Sequence, residues 1–391
     1  MKKMIEKLIS IWFSMLGHLP KKNIVYFESF HGKQFSDNPK AIYDYLKKEN
    51  TTLELVWGVT AGYEETFKEK KVPHVRRFSL RWFFMMPRAK FWVINTRTPL
   101  WLTKSKKTTY IQTWHGTPLK RIGTDIEEVN IPGYTKESYD KEFLAESKRW
   151  DYLTTSSSYT TTHFKQAFGY PGKIIEKGFP RNDQLVNLKQ NNDKADDLRA
   201  ILGISPDKKI VLYAPTWRET DNKTSEGYEF NIDFPYTNFL KQFSDEMVLL
   251  VRMHYLVAQT LDFSSWPSDQ VIDVSTGYDM SDLLLISDVL ITDYSSCLFD
   301  FSLTNRTMLF FMPDSTQYEE DIRGFYLPIQ SLLPGPIIKE PDALIEQLKQ
   351  IDDIVVDKQY EEFKQTFCNH ETGKSAQHIA EIIKKEMSET R

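Results

Sequence analysis

The chain has 391 residues, and this length favours two or three domains. Hydrophobic residues make up 40% of the sequence and aromatic residues 14%, which excludes a disordered or low-complexity protein. The net charge of −4 gives no overall attraction to nucleic acid, so we predict no nucleic-acid partner.

Residues 1–19 carry apolar side chains at helical spacing, with lysines near the start and polar residues on the other face. This pattern predicts an amphipathic helix that associates with a membrane surface. An ordinary helix packed on the protein body explains the pattern equally well, and both interpretations stay open. The apolar positions are Met4, Ile5, Leu8, Ile9, Trp12, Met15, Leu16 and Leu19.

After Pro20, short apolar segments alternate with segments of helical periodicity, which predicts an α/β fold with parallel sheets. An Asn- and Asp-rich segment at 187–197 interrupts this pattern. We therefore predict Rossmann-like domains at 20–186 and 198–365, followed by a helix and tail at 366–391. Strands are predicted at 23–28, 53–58, 91–95, 109–113, 152–155, 174–177, 210–214, 248–252, 271–274, 289–292 and 308–311. Helices are predicted at 39–48, 80–86, 136–150, 159–168, 237–243, 280–286 and 298–303.

Two candidate motifs end predicted strands in the first half. TWHGTPL at 113–119 contains His115, and histidine is the side chain best suited to accept a proton near neutral pH. Gly116 permits close approach of a ligand, and Pro118 fixes the turn. Taken alone, such a motif fits a structural histidine more often than a catalytic one. The second turn, KGFPRND at 177–183, brings an arginine to a strand end.

Three more motifs end predicted strands in the second half. APTWR at 214–218 provides a hydroxyl and an arginine, whose planar fork of donors suits a phosphate. RMH at 252–254 directs an arginine and a histidine to the same side of an extended strand. DYSS at 293–296 precedes a predicted helix, whose N-terminal amide groups attract phosphate, and Asp300 lies one turn further on. A surface arginine, a buried histidine and ordinary helix capping are the structural alternatives.

Together the five motifs predict a pocket for a diphosphate. The sequence lacks a GxxxxGK[ST] loop, a GxGxxG turn after a strand, a GxSxG elbow and an HExxH pair. No cluster of carboxylates predicts a divalent metal, and the two cysteines, Cys297 and Cys368, belong to no CxxC pair. We therefore predict no metal, no cofactor and a reducing, cytoplasmic location. The sequence contains no run of about 18 apolar residues, so we predict no membrane-spanning helix.

In this order the motifs resemble those of the CDP-glycerol glycerophosphotransferase family, which builds wall teichoic acid. The resemblance starts at YFESFHG (26–32) and SDNP (36–39), ends at RGFY (323–326), and covers nearly the whole chain after the first helix. It implies a GT-B-like fold in which two Rossmann-like domains face each other across a cleft, the first on the acceptor side and the second binding CDP-glycerol. It also implies a peripheral enzyme at the cytoplasmic face of the cell membrane.

The resemblance further implies the reaction and its residues. Glycerol phosphate would pass from CDP-glycerol to a prenyl-diphosphate-linked disaccharide, or to its glycerol phosphate adduct, with release of CMP. His115 and His254 would be the catalytic residues, with His115 taking the proton of the attacking hydroxyl. Long polymerases of the family carry an additional N-terminal domain, so the length of this chain suggests a primase. The CDP-glycerol site would be lined by His115, Gly116, Thr117, Pro118, Leu119, Arg181, Pro215, Thr216, Arg252, Met253, His254, Ser295, Ser296 and Asp300.

Three other functions fit the sequence. A ribitol-phosphate transferase would use CDP-ribitol with the same fold and chemistry. An ordinary GT-B glycosyltransferase would transfer a sugar from a sugar nucleotide. A non-catalytic, membrane-associated scaffold would keep the fold without the reaction, although the histidines and arginines of the motifs are intact.

Overall fold

A computed structural model describes residues 2–129, 131, 133–216, 223–224, 227–228, 234–253, 267, 269–313, 324–328, 332–351 and 356–388 of the chain. The chain forms two compact units. The first unit comprises Met1–Asp183 and Asn369–Arg391, and the second comprises Gln184–Cys368. The segment at the end of the chain, which the sequence presents as a separate helix and tail, thus belongs to the first unit.

A parallel sheet of seven strands forms the centre of the described part of the first unit. Helices cover both faces of this sheet, so its strands are continuous apolar runs rather than alternating ones. The fourth strand, for example, is buried at every position. The strands are β1 (Lys22–Glu28), β2 (Glu54–Val59), β3 (His74–Arg76), β4 (Ala89–Ile94), β5 (Thr109–Gln112), β6 (Tyr152–Thr155) and β7 (Lys173–Glu176), in the spatial order β3-β2-β1-β4-β5-β6-β7.

The second unit is built around a parallel sheet of six strands in its described residues. Its spatial order, β12-β11-β8-β13-β14-β15, is the order of a Rossmann fold. A two-stranded antiparallel ribbon accompanies the sheet. The strands are β8 (Lys209–Ala214), β9 (Lys223–Thr224), β10 (Gly227–Tyr228), β11 (Met247–Val251), β12 (Val271–Asp273), β13 (Val289–Thr292), β14 (Thr307–Phe311) and β15 (Ile337–Ile338), of which β9 and β10 form the ribbon.

The helices of the two units follow in chain order. The α-helices are α1 (Lys2–His18), α2 (Asp37–Lys48), α3 (Glu65–Glu69), α4 (Leu80–Met85), α5 (Lys136–Ser147), α6 (Ser158–Phe168), α7 (Asp183–Val186), α8 (Asn192–Ile201), α9 (Tyr236–Phe243), α10 (Met280–Ile286), α11 (Cys297–Phe301), α12 (Pro341–Lys349), α13 (Lys358–Phe367) and α14 (Ser375–Ser388). Single-turn 3-10 helices occur at Phe30–Gly32, Met86–Arg88, Gly123–Asp125, Pro180–Asn182, Leu188–Asn191 and Ser302–Thr304. Within the described ranges, no helix is both long enough and apolar enough to span a bilayer.

The α/β prediction with parallel sheets is confirmed, and each predicted strand corresponds to an observed one. The strands β3, β9, β10 and β15 are not predicted, because segments of two or three residues are too short to show a period. The polar segment 187–197, which interrupts the predicted α/β pattern, forms a 3-10 turn and most of α8.

Helix α14 explains why the last residues join the first unit. Its apolar side chains Ile379 and Ile383 are completely buried in the same cluster as Ile42 of α2. Asp183 fixes the start of the helix by accepting hydrogen bonds from the backbone N–H groups of Ser375 and Ala376, each at 2.8 Å. Both interactions join residues far apart in the sequence, so local spacing could not predict them.

Helix α1 packs on the first unit along one side. Phe13 is completely buried, with its ring 5.4 Å from that of Trp82. The indole N–H of Trp12 donates to the Phe83 carbonyl at 3.2 Å, and the Ser105 hydroxyl donates to the Gly17 carbonyl at 2.8 Å. The opposite side of the helix remains exposed, including Met15 at 62%.

Two alanine substitutions in α1 should therefore separate its packed side from its exposed side. Phe13→Ala removes a buried ring and should lower the free energy of unfolding of the first unit by about 3–5 kcal/mol. Met15→Ala, the control on the exposed side, should change it by less than about 0.5 kcal/mol. Urea unfolding followed by tryptophan fluorescence measures both. Equal effects of the two substitutions would contradict the packing of α1.

Candidate functional site

The order of strands reverses between β1 and β4 in the first unit, and ligands of open α/β sheets bind beyond the carboxyl ends of strands at such a point. The chain leaving β1 is unusual there, because Phe30, His31 and Gly32 all have positive φ angles of 47°, 58° and 78°. A Cβ atom on Gly32 would lie 2.8 Å from the Gly58 carbonyl oxygen, so the close approach of β2 requires glycine. Strained backbone of this kind is concentrated at functional sites.

Asn95 follows β4 and joins the neighbouring strand ends. Its side-chain oxygen accepts a hydrogen bond from the Phe30 backbone N–H at 2.9 Å. Its amide nitrogen donates to the carboxylate of Asp37 at the start of α2. Both Asn95 and Asp37 are buried, so these bonds satisfy polar groups that water cannot reach.

His115 stands three residues beyond the end of β5. Its Nδ1 lies 2.7 Å from the Asn95 main-chain oxygen. Because a carbonyl oxygen only accepts hydrogen bonds, Nδ1 carries the hydrogen and Nε2 of the neutral ring is the proton acceptor. Burial lowers the pKa of His115, which keeps the imidazole neutral near pH 7. The preceding Trp114 has a φ of 50°, and its ring stacks on the imidazole with centroids 4.6 Å apart.

Arg181 reaches the same place from the turn after β7. Its Nη1 lies 2.7 Å from the Asp37 carboxylate, and both side chains are buried. The adjacent Asn38 accepts from the Arg181 backbone N–H at 3.1 Å and donates to the Trp114 carbonyl at 3.1 Å. Asn38 therefore ties the loop that carries His115 to the turn that carries Arg181.

The remaining residues of the TWHGTPL motif hold its loop in place. Thr117 is buried, and its hydroxyl lies 2.9 Å from that of Ser156. The Pro118 carbonyl accepts from the Tyr159 hydroxyl at 2.9 Å. Gly116 is buried and Leu119 is half-buried. These contacts fix the loop to the start of α6 and leave His115 as its proton-accepting side chain.

His31 is a second imidazole at this edge of the sheet. Removal of its ring from water lowers its pKa to about 4, and the cations Arg77, Lys33 and Arg97 add to that shift, as does His115. The Arg77 guanidinium donates to the His31 carbonyl and pairs with buried Glu28 at 3.2 Å. His31 is therefore neutral at physiological pH, in positively charged surroundings.

In the second unit, the strand order reverses between β8 and β13, and Asp293 connects the ends of these strands. Its buried carboxylate accepts from the Thr216 backbone N–H at 2.8 Å and from the Tyr294 backbone N–H at 2.5 Å. Pro215 and Thr216 are half-buried immediately after β8. The structure thus brings the predicted residues Pro215 and Thr216 to the same sheet edge as the DYSS motif.

Arg252 and Met253 follow β11, the neighbour of β8. The Arg252 backbone N–H donates to the Tyr213 carbonyl at 2.8 Å, and its guanidinium donates to the Val274 carbonyl. Burial lowers the pKa of Arg252, and the nearby acids Asp279 and Asp273 oppose that shift. Met253 is buried, with its backbone N–H donating to the Ser275 hydroxyl at 3.0 Å.

The helix after the DYSS motif differs slightly from its prediction. It begins at Cys297 and ends at Phe301, and a 3-10 turn continues it. Ser296 precedes the helix without a side-chain capping bond, whereas the Ser295 hydroxyl lies 3.5 Å from the Cys297 backbone N–H. Asp300 is buried within this helix.

Several predicted residues lie outside the described residues. His254, Trp217, Arg218 and Arg323 are among them. Their roles stay predictions from the sequence. Within the ranges that the structure describes, no three His, Cys, Asp or Glu side chains are grouped to hold a metal ion.

Sequence reasoning missed four residues that organise the first unit's site. Asp37 and Asn38 lie in the SDNP stretch, where their spacing gives no sign of the loops that they join. Asn95 ends a strand without a recognisable motif. Glu371 accepts from the Phe179 backbone N–H at 3.1 Å and from the Asn182 side chain at 2.9 Å, which secures the Arg181 turn from the far end of the chain.

Comparisons with known proteins identify the family of the chain. Residues 11–385 match the family model for CDP-glycerol:poly(glycerophosphate) glycerophosphotransferases. The chain is 47% identical to the teichoic acid glycerol-phosphate transferase of Staphylococcus aureus (strain NCTC 8325 / PS 47), over 98% of each chain. It is 40% identical to the teichoic acid poly(glycerol phosphate) polymerase of Bacillus spizizenii (strain ATCC 23059 / NRRL B-14472 / W23), over 98% of this chain and 97% of the relative.

A solved structure of the wall teichoic acid polymerase TagF soaked with CDPG is also similar, with a TM-score of 0.90 and 38% identity. The match covers 100% of this chain and 96% of that one, which confirms the predicted GT-B-like fold class. The family model, the two relatives and the solved structure all cover parts of both units. The chain therefore belongs to the CDP-glycerol:poly(glycerophosphate) glycerophosphotransferase family and is a transferase of glycerol phosphate.

Proposed function

We propose that this enzyme transfers glycerol phosphate from CDP-glycerol to a prenyl-diphosphate-linked disaccharide, or to its glycerol phosphate adduct, during wall teichoic acid synthesis. The observation that carries the proposal is the state of His115. Its Nδ1–H is bonded to the Asn95 carbonyl at the strand-order reversal of the first unit, which makes Nε2 the proton acceptor of a neutral ring. A general base of this kind suits the deprotonation of an attacking hydroxyl.

In the proposed reaction, an acceptor hydroxyl attacks the phosphorus that carries glycerol. The new bond joins the acceptor oxygen to this phosphorus, and the bond from the phosphorus to the bridging oxygen breaks, so that CMP leaves with the electron pair. Nε2 of His115 takes the hydroxyl proton. Phosphoryl transfer depends mainly on positioning and on stabilisation of charge, so fixed donors near the phosphates contribute the rest.

The second unit supplies the proposed donor-binding residues. Pro215 and Thr216 sit at the strand-order reversal of a Rossmann-type sheet, where such folds bind nucleotides. Arg252 follows the adjacent strand, and a guanidinium has five N–H donors. It can therefore contact a phosphate while it donates to the Val274 carbonyl. Ser295, Ser296 and Asp300 complete the proposed group.

The donor and acceptor are tested directly with the purified protein. It is incubated with CDP-glycerol or CDP-ribitol and a synthetic prenyl-diphosphate disaccharide, with and without one glycerol phosphate attached. We expect CMP release and a mass increase of the acceptor with CDP-glycerol. Release with CDP-ribitol alone would favour the ribitol-phosphate reaction, and no release with either donor would contradict the proposed function.

Replacing His115 with alanine should lower kcat by roughly 10²–10⁴-fold, which is the usual contribution of a general base. The matched control is His378→Ala, because His378 also places its Nδ1 near a backbone carbonyl, at 2.8 Å from Lys374, but lies half-buried on α14, outside the candidate site. The control should keep normal turnover. Normal turnover in folded His115→Ala protein would remove His115 from the mechanism.

The substitution Arg252→Lys should raise KM for CDP-glycerol at least about tenfold, because lysine keeps the charge but loses the planar fork of donors. Arg306→Lys is the control, since Arg306 also donates to backbone carbonyls but precedes β14 at the amino ends of the strands. Initial rates at varied CDP-glycerol concentration measure both variants. An unchanged KM in Arg252→Lys would exclude Arg252 from the donor site.

We further propose that the first unit binds the membrane surface, where a lipid-linked acceptor would be found. The exposed side of α1 presents an apolar stripe at one-turn spacing, and exposed apolar residues of α4 lie beside it, with Phe84 5.1 Å from Trp12. A helix with such a stripe can rest in the interface of a bilayer. The exposed side chains are Met4 (64%), Leu8 (59%), Ile11 (48%), Met15 (62%), Leu80 (79%) and Phe84 (50%).

Positive charge accompanies this apolar surface. Lys21 follows α1, and its ammonium donates to the Pro87 carbonyl at 2.7 Å. Burial lowers its pKa to about 8, and the cations Lys104, Lys107 and Arg88 add to the shift. Clustered cations of this kind attract anionic lipid head groups.

The double substitution Leu8→Glu/Ile11→Glu should weaken binding to phosphatidylglycerol vesicles at least about tenfold, because each buried aliphatic side chain contributes about 1.5–3 kcal/mol. The control is Ile201→Glu, which alters an exposed apolar residue of α8 in the second unit. Vesicle co-flotation measures all three proteins. Equal flotation of the double variant and the unsubstituted protein would rule out α1 as the membrane contact.

A further inference from the structure

We propose that Asp37 and Asn95 form the positioning pair that holds His115 as a proton acceptor, an inference that rests on the function proposed above for His115. Neither residue belongs to a catalytic motif of the sequence. Both act through the histidine rather than on the substrate. The case depends on hydrogen bonds, backbone conformation and charge around one ring.

Asn95 is the centre of the arrangement. Its main-chain oxygen accepts from Nδ1 of His115 at 2.7 Å, so the position of this oxygen sets the orientation and the tautomer of the ring. Its side chain accepts from the Phe30 backbone N–H at 2.9 Å and donates to the Asp37 carboxylate. Asn95 is completely buried, and these two side-chain bonds oppose rotation of the peptide that carries the oxygen.

Asp37, the other member of the pair, has a strained backbone conformation. Its φ angle is 64°, a conformation that residues other than glycine adopt at a cost. It begins α2, where a negative charge is favourable, and its carboxylate lies 2.7 Å from Nη1 of Arg181. The strained residue thus places one carboxylate against both the Asn95 amide and the Arg181 guanidinium.

Charges from three loops face His115. Burial and the Arg181 guanidinium both lower the pKa of His115, whereas the Asp37 carboxylate and the bond to the Asn95 carbonyl raise it. Among the described residues, His31 is another titratable neighbour, and it is neutral near pH 7 and adds no charge there. The Asp37 carboxylate therefore raises the basicity of the His115 ring, which burial lowers.

Removing the Asp37 charge should thus make His115 a weaker base. In Asp37→Asn, the acidic limb of the kcat/KM profile should move to lower pH by roughly one unit, the scale of an opposite charge nearby. kcat should fall roughly three- to tenfold, with KM for CDP-glycerol unchanged within about twofold. The imidazole pKa, read from 15N NMR with the His115→Ala spectrum as assignment, should fall by the same amount. An unmoved acidic limb together with an unmoved imidazole pKa would overturn the role of Asp37.

Two further variants distinguish the effect of the Asp37 charge from a purely structural effect of the substitution. Asp37→Glu keeps the charge and should restore the acidic limb close to that of the unsubstituted protein. Asp151→Asn removes a carboxylate paired with Lys104 at the amino end of β6, and its pH profile should be normal. A shifted limb in Asp151→Asn would attribute the effect to general charge loss and overturn the proposal.

Asn95→Ala tests the positioning itself, because it keeps the main-chain oxygen but removes both side-chain bonds. We expect a mixture of Nδ1–H and Nε2–H tautomers by 15N NMR and a kcat at least about tenfold lower. A pure Nδ1–H tautomer with normal turnover would overturn the role of Asn95. If His115→Ala itself turned over normally, the function proposed for His115 would fail, while the NMR results would still decide whether Asp37 and Asn95 position its ring.

Discussion

The first unit's site depends on the hydrogen bonds and the ion pair that residues at the N-terminus of α2 make. Parallel strands deliver their carboxyl ends to one edge of the sheet, but nothing in a sheet fixes the loops that leave it. Asp37 and Asn38 provide that restraint, because together they bond to the residues that follow β4, β5 and β7. The Asp37–Arg181 pair is buried, and loss of one partner from a buried pair typically costs about 3–5 kcal/mol. Organisation of the site and stability of the unit therefore rest on the same bonds.

The second unit uses a carboxylate at the equivalent place in a different way. Asp293 accepts two backbone N–H groups, from Thr216 and Tyr294, whereas Asp37 accepts from an amide side chain and lies against a guanidinium. It ties the ends of β8 and β13 together. Backbone donors hold the Thr216 loop close to β13, whereas in the first unit side chains determine which way an imidazole points. Each unit thus places a buried acid where its strand order reverses, and the partners of the acid decide what the neighbouring loop presents.

The sequence predicted the strands well because each is an apolar run in a sheet covered on both faces. It also singled out His115 and Arg181, since glycine and proline mark the turns that carry them. It could not predict Asn95 as the partner of His115, because a main-chain oxygen has no sequence signature. The ion-pair partner of Arg181 could not be predicted either, because Asp37 lies 144 positions away in the sequence. Contacts between distant segments form only in the folded sheet, whereas the pattern of a single sequence indicates only the local periodicity of its apolar residues.

The return of α14 to the first unit has a consequence for the order of events during synthesis. A ribosome makes the seven strands of that unit long before it makes α14. This helix packs on Ile42, and its first backbone N–H group donates to Asp183. Until then the nascent sheet lacks part of its covering layer, and the turn bearing Arg181 lacks Glu371. The first unit consequently completes its folding only after the second unit has left the exit tunnel. During that interval, the part of the apolar face that α14 covers in the folded protein is open to chaperones.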